Sequence, residues 1–163
     1  MSNDSLLLKG ERIDRLGYQG LQIIQDPAKF KFTIDAFLLA AFVNSKPSHT
    51  LIDLGTGNGV IPLLIVGQRP VASVTGIEIQ PDLAAMARRS LRLNKLEDRI
   101  KIVTADLRDL PDGLRANSFD YVISNPPFFA APQGVVSRNG ALAQAKFEVS
   151  CTLADVLKAA ARL

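Results

Sequence analysis

The chain has 163 residues, 47% of them apolar and 21% charged, with a net charge of +3. That apolar content excludes a disordered chain and suffices for one domain with its own core. Cys151 is the sole cysteine and His49 the sole histidine, which excludes a disulfide scaffold and leaves no ligand set for zinc; no metal is expected. Aromatic residues make up only 6% and tryptophan is absent, so the core must be mainly aliphatic, as in a sheet covered by helices. No apolar run approaches ~18 residues, and residues 1–10 lack the basic start and apolar stretch of a secretion signal. A soluble protein of a reducing compartment is expected, with no membrane partner.

The first thirty residues are polar with short apolar alternation (Leu21, Ile23, Ile24), which predicts a small hairpin or extended cap. Residues 33–43 are apolar almost all round, the pattern of a buried helix, with Thr33 at its N-cap and Asp35 in its first turn. From Thr50 the rhythm becomes strand and helix in alternation. Strands are expected at 51–54, 73–79, 100–104 and 119–124. Helices are expected at 61–68, from Pro81 onward along Leu83, Met86, Ser90 and Leu91, and at 152–163. Alternation of this kind predicts an open, parallel α/β sheet, its fourth strand at an edge. Arg88, Arg89, Arg92, Lys95, Arg99 and Lys101 cluster against Glu97 and Asp98; a solvated helix face and a phosphate-tracking patch both fit.

Asp53-Leu54-Gly55-Thr56-Gly57-Asn58-Gly59 falls between a strand and a helix. Its glycines let the backbone turn tightly and approach a ligand closely, and the helix that follows presents free N–H groups. The dinucleotide fingerprint Gly-x-Gly-x-x-Gly would need glycine at position 60, which is Val60, so a nicotinamide enzyme ranks last among the readings. Glu78 closes the second strand, 19 residues after Gly59, where a carboxylate can accept from both ribose hydroxyls. Asp106 follows the third strand, placed to accept from an adenine amine. Ligands of open α/β sheets bind beyond the carboxyl ends of the strands. Ser124-Asn125-Pro126-Pro127-Phe128 follows the fourth strand. Its prolines fix the backbone and leave rigid carbonyls. The Asn125 side chain and the Pro126 carbonyl can hold both hydrogens of a planar –NH2 group, and Phe128 can stack on the ring that bears it.

Together these residues resemble a class I S-adenosylmethionine-dependent methyltransferase. The Asn-Pro-Pro-aromatic motif is typical of those that methylate amines conjugated to a planar system. Glu11-Arg12-Ile13-Asp14, Gly20-Leu21-Gln22-Ile23-Ile24-Gln25 and Phe30-Lys31-Phe32-Thr33-Ile34-Asp35-Ala36 resemble the bacterial tRNA1(Val) adenine-N6 methyltransferase family. The resemblance implies a Rossmann-like open parallel sheet with an N-terminal cap segment (residues 1–47) and a methyltransferase domain from residue 48. About four of the family's seven strands are present, so the chain reads as truncated at its C-terminus.

S-adenosyl-L-methionine is the implied cofactor. It would be held by Asp53, Gly55, Gly57, Gly59, Glu78 and Ile79, with Asp106 and Leu107 at its adenine and Phe32, Thr33 and Asp35 closing over its methionine end. Asn125, Pro126, Pro127 and Phe128 would form the catalytic segment. The implied activity is methylation of adenine N6 in tRNA, in the cytoplasm, with Arg88, Arg89, Arg92 and Lys95 toward the RNA and self-association through the open sheet edge. Methylation of a protein glutamine amide (N5) or of guanine N2 in rRNA uses the same planar amine. A non-catalytic cofactor- or RNA-binding module is the rival of a different class.

Overall fold

The computed structural model describes residues 3–28, 33–114, 116–126 and 151–163. A short 3-10 turn at Asn3–Leu6 precedes two antiparallel strands, β1 (Arg12–Arg15) and β2 (Gln22–Gln25), the hairpin expected from the sequence. Helix α1 (Ile34–Phe42) leads to strand β3 (Thr50–Leu54), helix α2 (Val60–Gln68), strand β4 (Ser73–Glu78), helix α3 (Pro81–Asn94) and strand β5 (Ile100–Thr104). Strand β6 (Tyr121–Ser124) and helix α4 (Leu153–Arg162) complete the described elements.

Strands β3 to β6 form one parallel sheet in the order β5-β4-β3-β6. The chain runs outward from β3 through β4 to β5, then returns to the other side of β3. The order therefore reverses between β3 and β6, and a crevice opens there beyond the strand ends. β6 is an edge strand among the described residues, as expected. It begins at Tyr121 rather than Phe119, because the Phe119 N–H turns to the Leu163 carbonyl at 3.3 Å. β4 ends one residue early, which releases Ile79 from the sheet.

Both faces of the sheet are covered, so its strands read as near-continuous apolar runs rather than as alternation. Leu51, Val74, Ile100 and Ile102 pack toward the side of α1, α2 and α3. Ile52, Leu54 and Ile77 pack toward Leu110 and α4. Residues 60–65 of α2 are all buried, because the helix lies between the sheet and α1. α4 is set by a capping box: the Thr152 hydroxyl accepts from the Asp155 N–H while the Asp155 carboxylate accepts from the Thr152 N–H.

The hairpin docks on α3 through side chains. Ser90, the polar member of the apolar stripe, accepts the Ile24 N–H at 3.0 Å. Asn94 pairs with both backbone groups of Gln22. Arg89 adds a buried ion pair to Glu11 and a bond to the Leu6 carbonyl at 2.8 Å.

One expectation fails on α1. Ala36 and Ala40 are buried against the core, but Ile34, Leu38 and Phe42 are 67%, 63% and 88% exposed. The helix is apolar on two faces, and only one has a neighbour among the described residues. Thr33 takes the N-cap position without capping; its hydroxyl donates to Asp35 Oδ2 at 2.7 Å.

Gly76 shows how tightly β4 fits beneath the glycine loop. A Cβ there would lie 2.8 Å from Thr56 Cγ2 and 2.9 Å from both Thr56 Oγ1 and Ile102 Cδ1. Gly76→Ala is expected to cost about 1–3 kcal/mol by overpacking and to displace Thr56, which urea denaturation would report as a lower midpoint at unchanged slope.

Candidate active site

A cleft opens at the carboxyl ends of β3, β4 and β6. Gly55, Gly57, Glu78, Ile79, Asp106, Leu107, Asn125 and Pro126 line it. Eight of the expected site residues therefore meet at one place, although they come from four separate segments.

The glycine loop is the floor. Gly55 and Gly59 have φ of +77° and +82°, a left-handed backbone that side chains rarely tolerate. The Gly55 and Thr56 N–H groups both donate to the Ile77 carbonyl, at 2.9 and 2.8 Å, which pins the loop to β4. Gly59 sits back from the cleft as the N-cap of α2, against Ala87. It is not among the residues lining the cleft.

Glu78 is held in place by the backbone. Its Oε2 accepts from Gly57 N and its Oε1 from Gln80 N, each at 2.8 Å. The carboxylate keeps acceptor capacity for a further donor. Burial pushes this carboxyl up, while the N–H groups of Gln80, Gly57 and Ile79 pull it back. Leu54, Ile77, Ile79, Leu83, Ala105 and Leu107 form apolar walls on either side. A fixed carboxylate between apolar walls, over a floor of backbone amides, suits a nucleoside: ring against the walls, ribose hydroxyls on the acid.

Asp106 reaches the cleft but already faces Arg108, whose guanidinium bonds both carboxylate oxygens at 2.6–3.0 Å. That partner holds its carboxyl below the usual range. Asn125 and Pro126 stand on the opposite rim from Glu78, directly after β6. Pro127, Phe128 and Phe32 lie outside the described residues. Thr33 and Asp35 are not among the residues lining the cleft.

Asp53 lies beneath the floor. It is fully buried, and neither carboxylate oxygen has a hydrogen-bond partner among the described residues. Burial, with a smaller push from the Glu78 charge, raises its carboxyl to about 7; nearby Thr56 offsets this only in part. The folded protein thus holds this proton more tightly than the unfolded chain does. Its contribution to stability is full below pH ~4 and is lost as pH rises toward 7. Thermal melts are expected to show a fall in midpoint between pH 5 and pH 8 that Asp53→Asn reduces.

Sequence reasoning missed Gln80, Leu83, Ser124, Cys151 and Val156 in the cleft. Gln80 has a local signal: the residue two after a strand-end acid can turn its N–H back to that carboxylate, as Gln80 does at 2.8 Å. Cys151 and Val156 enter from α4 and its approach, which only the tertiary fold brings back to β6.

The basic cluster is largely committed to the protein itself. Arg88 bonds the Ile102 carbonyl and Thr104 hydroxyl of edge strand β5 at 3.0 and 2.7 Å. Arg89 turns inward to Glu11, so its role is structural and not RNA-facing. Arg92 lies 3.3 Å from Glu97 at the surface, and Lys95 is exposed at the C-cap of α3. No helix among the described residues is long and apolar enough to cross a membrane.

Comparison with known proteins agrees with this geometry. The model of the methyltransferase small domain matches residues 28–156. A Porphyromonas gingivalis protein named tRNA1(Val) (adenine(37)-N6)-methyltransferase is 33% identical over 138 residues, covering 80% of this chain and 54% of that protein. The protein of the same name from Edwardsiella ictaluri is 30% identical over 142 residues, covering 86% and 56%. Among solved structures, P. horikoshii TYW2 in complex with MeSAdo aligns with a TM-score of 0.57 at 26% identity, covering 85% of this chain and 50% of that one. The chain spans about half the length of the curated relatives it matches. With most of its length matched by the family model, and the glycine loop, Glu78 and Asn125-Pro126 assembled around one cleft, the chain belongs to the methyltransferase small domain family.

Proposed function

We propose that the chain is the catalytic part of an S-adenosylmethionine-dependent N-methyltransferase that acts on the exocyclic N6 amine of an adenine in tRNA. One observation carries the reading: Asn125 and Pro126, the amine-holding pair, share a cleft with the ribose-binding Glu78 and the glycine loop. The names of the curated relatives support the substrate.

The residues present fit the cofactor. Glu78 would take the ribose hydroxyls, Ile79 and Leu107 would flank the adenine, and the Gly55–Gly57 backbone would lie against the methionine end. S-adenosylmethionine supplies an already activated methyl group, so the protein's task is mainly positioning. The adenine amine is a weak nucleophile because its lone pair is delocalised into the ring. The Asn125 side-chain oxygen and the Pro126 carbonyl would accept its two hydrogens, favour a pyramidal nitrogen and stabilise the positive charge that grows on it. The methylated amine is acidic and loses its proton to solvent without a strong base. A base within structured RNA must first leave its stack, and Phe128 would receive it. Arg92 and Lys95 would meet the RNA backbone.

Asn125→Ala is expected to reduce methyl transfer to unmodified tRNA by at least about 100-fold, the scale of losing one polarising contact, with cofactor affinity within about twofold of wild type. Mass spectrometry of digested tRNA reads the product as N6-methyladenosine. N2-methylguanosine, or methylation of a glutamine peptide alone, would transfer the assignment to a different amine. Equal loss of transfer and cofactor affinity would remove Asn125 from its role.

A further inference from the structure

Strand β6 reads Tyr-Val-Ile-Ser, and its last residue, Ser124, lines the cleft. The Ser124 hydroxyl donates to the Leu54 carbonyl at 2.8 Å. Leu54 and Ser124 each end their strand, and they form the final pair of the β3–β6 register. The chemistry proposed above uses neither residue. Packing alone would favour an apolar side chain at this position, because both faces of the sheet are covered.

The place of the bond accounts for it. Beyond this pair the two strands part. β3 turns toward β4, where the Gly55 and Thr56 N–H groups both donate to the Ile77 carbonyl at 2.9 and 2.8 Å. β6 runs on into Asn125 and Pro126 at the other rim of the cleft. The cofactor side of the site is thus tied to β4, and the amine side hangs from β6. A segment is ordinarily tied to its neighbouring strand through backbone N–H groups. Pro126 and Pro127 have none. A side chain has to supply the link, and Ser124 supplies it to the residue that directly precedes Gly55.

We propose that Ser124 is a positioning residue for methyl transfer: its bond to Leu54 sets the separation between the amine-holding pair, Asn125 and Pro126, and the glycine loop. The proposal rests on the assignment of that pair to a substrate amine. In-line displacement is sensitive to this separation, since a misplacement of about 1 Å can cost around 100-fold in rate. Ser124 acts here through Asn125 and Pro126, without touching the reacting atoms. Its loss would leave the cofactor side intact, because Glu78 and the glycine loop are held by their own bonds.

Calorimetry and single-turnover methyl transfer on the whole chain test this, with wild type, Ser124→Ala and Ser124→Thr. The binding probes are S-adenosylhomocysteine and a bisubstrate analogue that joins it through a short alkyl chain to N6 of a second adenosine. Wild type should bind the analogue at least about tenfold more tightly than S-adenosylhomocysteine, because the tether makes the second contact intramolecular. Ser124→Ala should lose most of that gain, keep its affinity for S-adenosylhomocysteine within about twofold, and transfer methyl to tRNA about 10- to 100-fold more slowly. Ser124→Thr keeps the hydroxyl and should bring both properties back to within about threefold of wild type. A serine that served stability alone would not split the two ligands in this way. If the alanine variant fails to fold, Ser124→Cys carries the test, because a thiol is a weak donor. A Ser124→Ala chain that kept both the advantage of the analogue and the rate of transfer would overturn the role of Ser124 and leave the site assignment standing. Wild type that bound the analogue no more tightly than S-adenosylhomocysteine would overturn both.

Discussion

Glu78→Ala is expected to weaken binding of S-adenosylhomocysteine by about 100-fold or more while leaving the chain folded. The carboxylate accepts from Gly57 N and Gln80 N at 2.8 Å and keeps acceptor capacity for the ribose. Hydrogen bonds to a charged group contribute roughly 1.5–3 kcal/mol each, so losing the pair to ribose accounts for the loss in affinity. Alanine also frees the Gly57 N–H, and the loop loses one of its ties to β4. Folding should suffer little, because burial already disfavours the charged form of this acid. Glu78→Gln separates the two effects. Its amide keeps one acceptor but turns a donor toward one of the two N–H groups, so it should fall close to alanine. Calorimetric titration of wild type and both variants checks this; an alanine variant within about threefold of wild type would mean that the ribose lies elsewhere.

Arg89→Ala is expected to be the most destabilising single change outside the hydrophobic core, at about 3–5 kcal/mol. Its side chain is 14% exposed and that of its partner Glu11 only 4%. Removing the cation takes the Arg89 charge away from a buried carboxylate, and the N-terminal segment loses its bond to α3 through Leu6 as well. For a chain of this size that loss corresponds to a fall in melting temperature of roughly 6–20 °C. Glu11→Leu combined with Arg89→Met should recover much of it, because an apolar pair of similar volume removes both charges together. If Arg89→Ala melted within about 1 °C of wild type, the ion pair would be solvent-screened and the residue available to RNA after all.

The contrast between these residues shows what the sequence makes legible. Glu78 could be placed at the cleft because local signals mark it: a strand end and a fixed interval from a glycine loop. The same holds for Gly55, Gly57 and Asn125-Pro126, each a turn element next to a strand whose apolar run marks it. The parallel sheet followed from the alternation of strand and helix. Arg89 could not be assigned, since its partner lies 78 residues away; a basic residue on an amphipathic helix looks the same whether it meets water, phosphate or a buried acid. Helix α1 misled for a related reason. Its composition is apolar apart from Asp35, but burial depends on which faces have neighbours, and only the face of Ala36 and Ala40 meets the core. Asp53 was legible as a site residue, though not its depth. An acid in a strand ending at a glycine loop suggests ligand contact, whereas the fold places it under the loop rather than in the cleft.

The central claim is that this cleft binds the nucleoside of S-adenosylmethionine. Its most direct test is a calorimetric titration of S-adenosylhomocysteine into the 163-residue chain, with NAD as the control ligand. Saturable binding of S-adenosylhomocysteine at one site per chain is expected, with no heat from NAD. A chain that melts cooperatively yet binds neither ligand, or binds NAD instead, would contradict it.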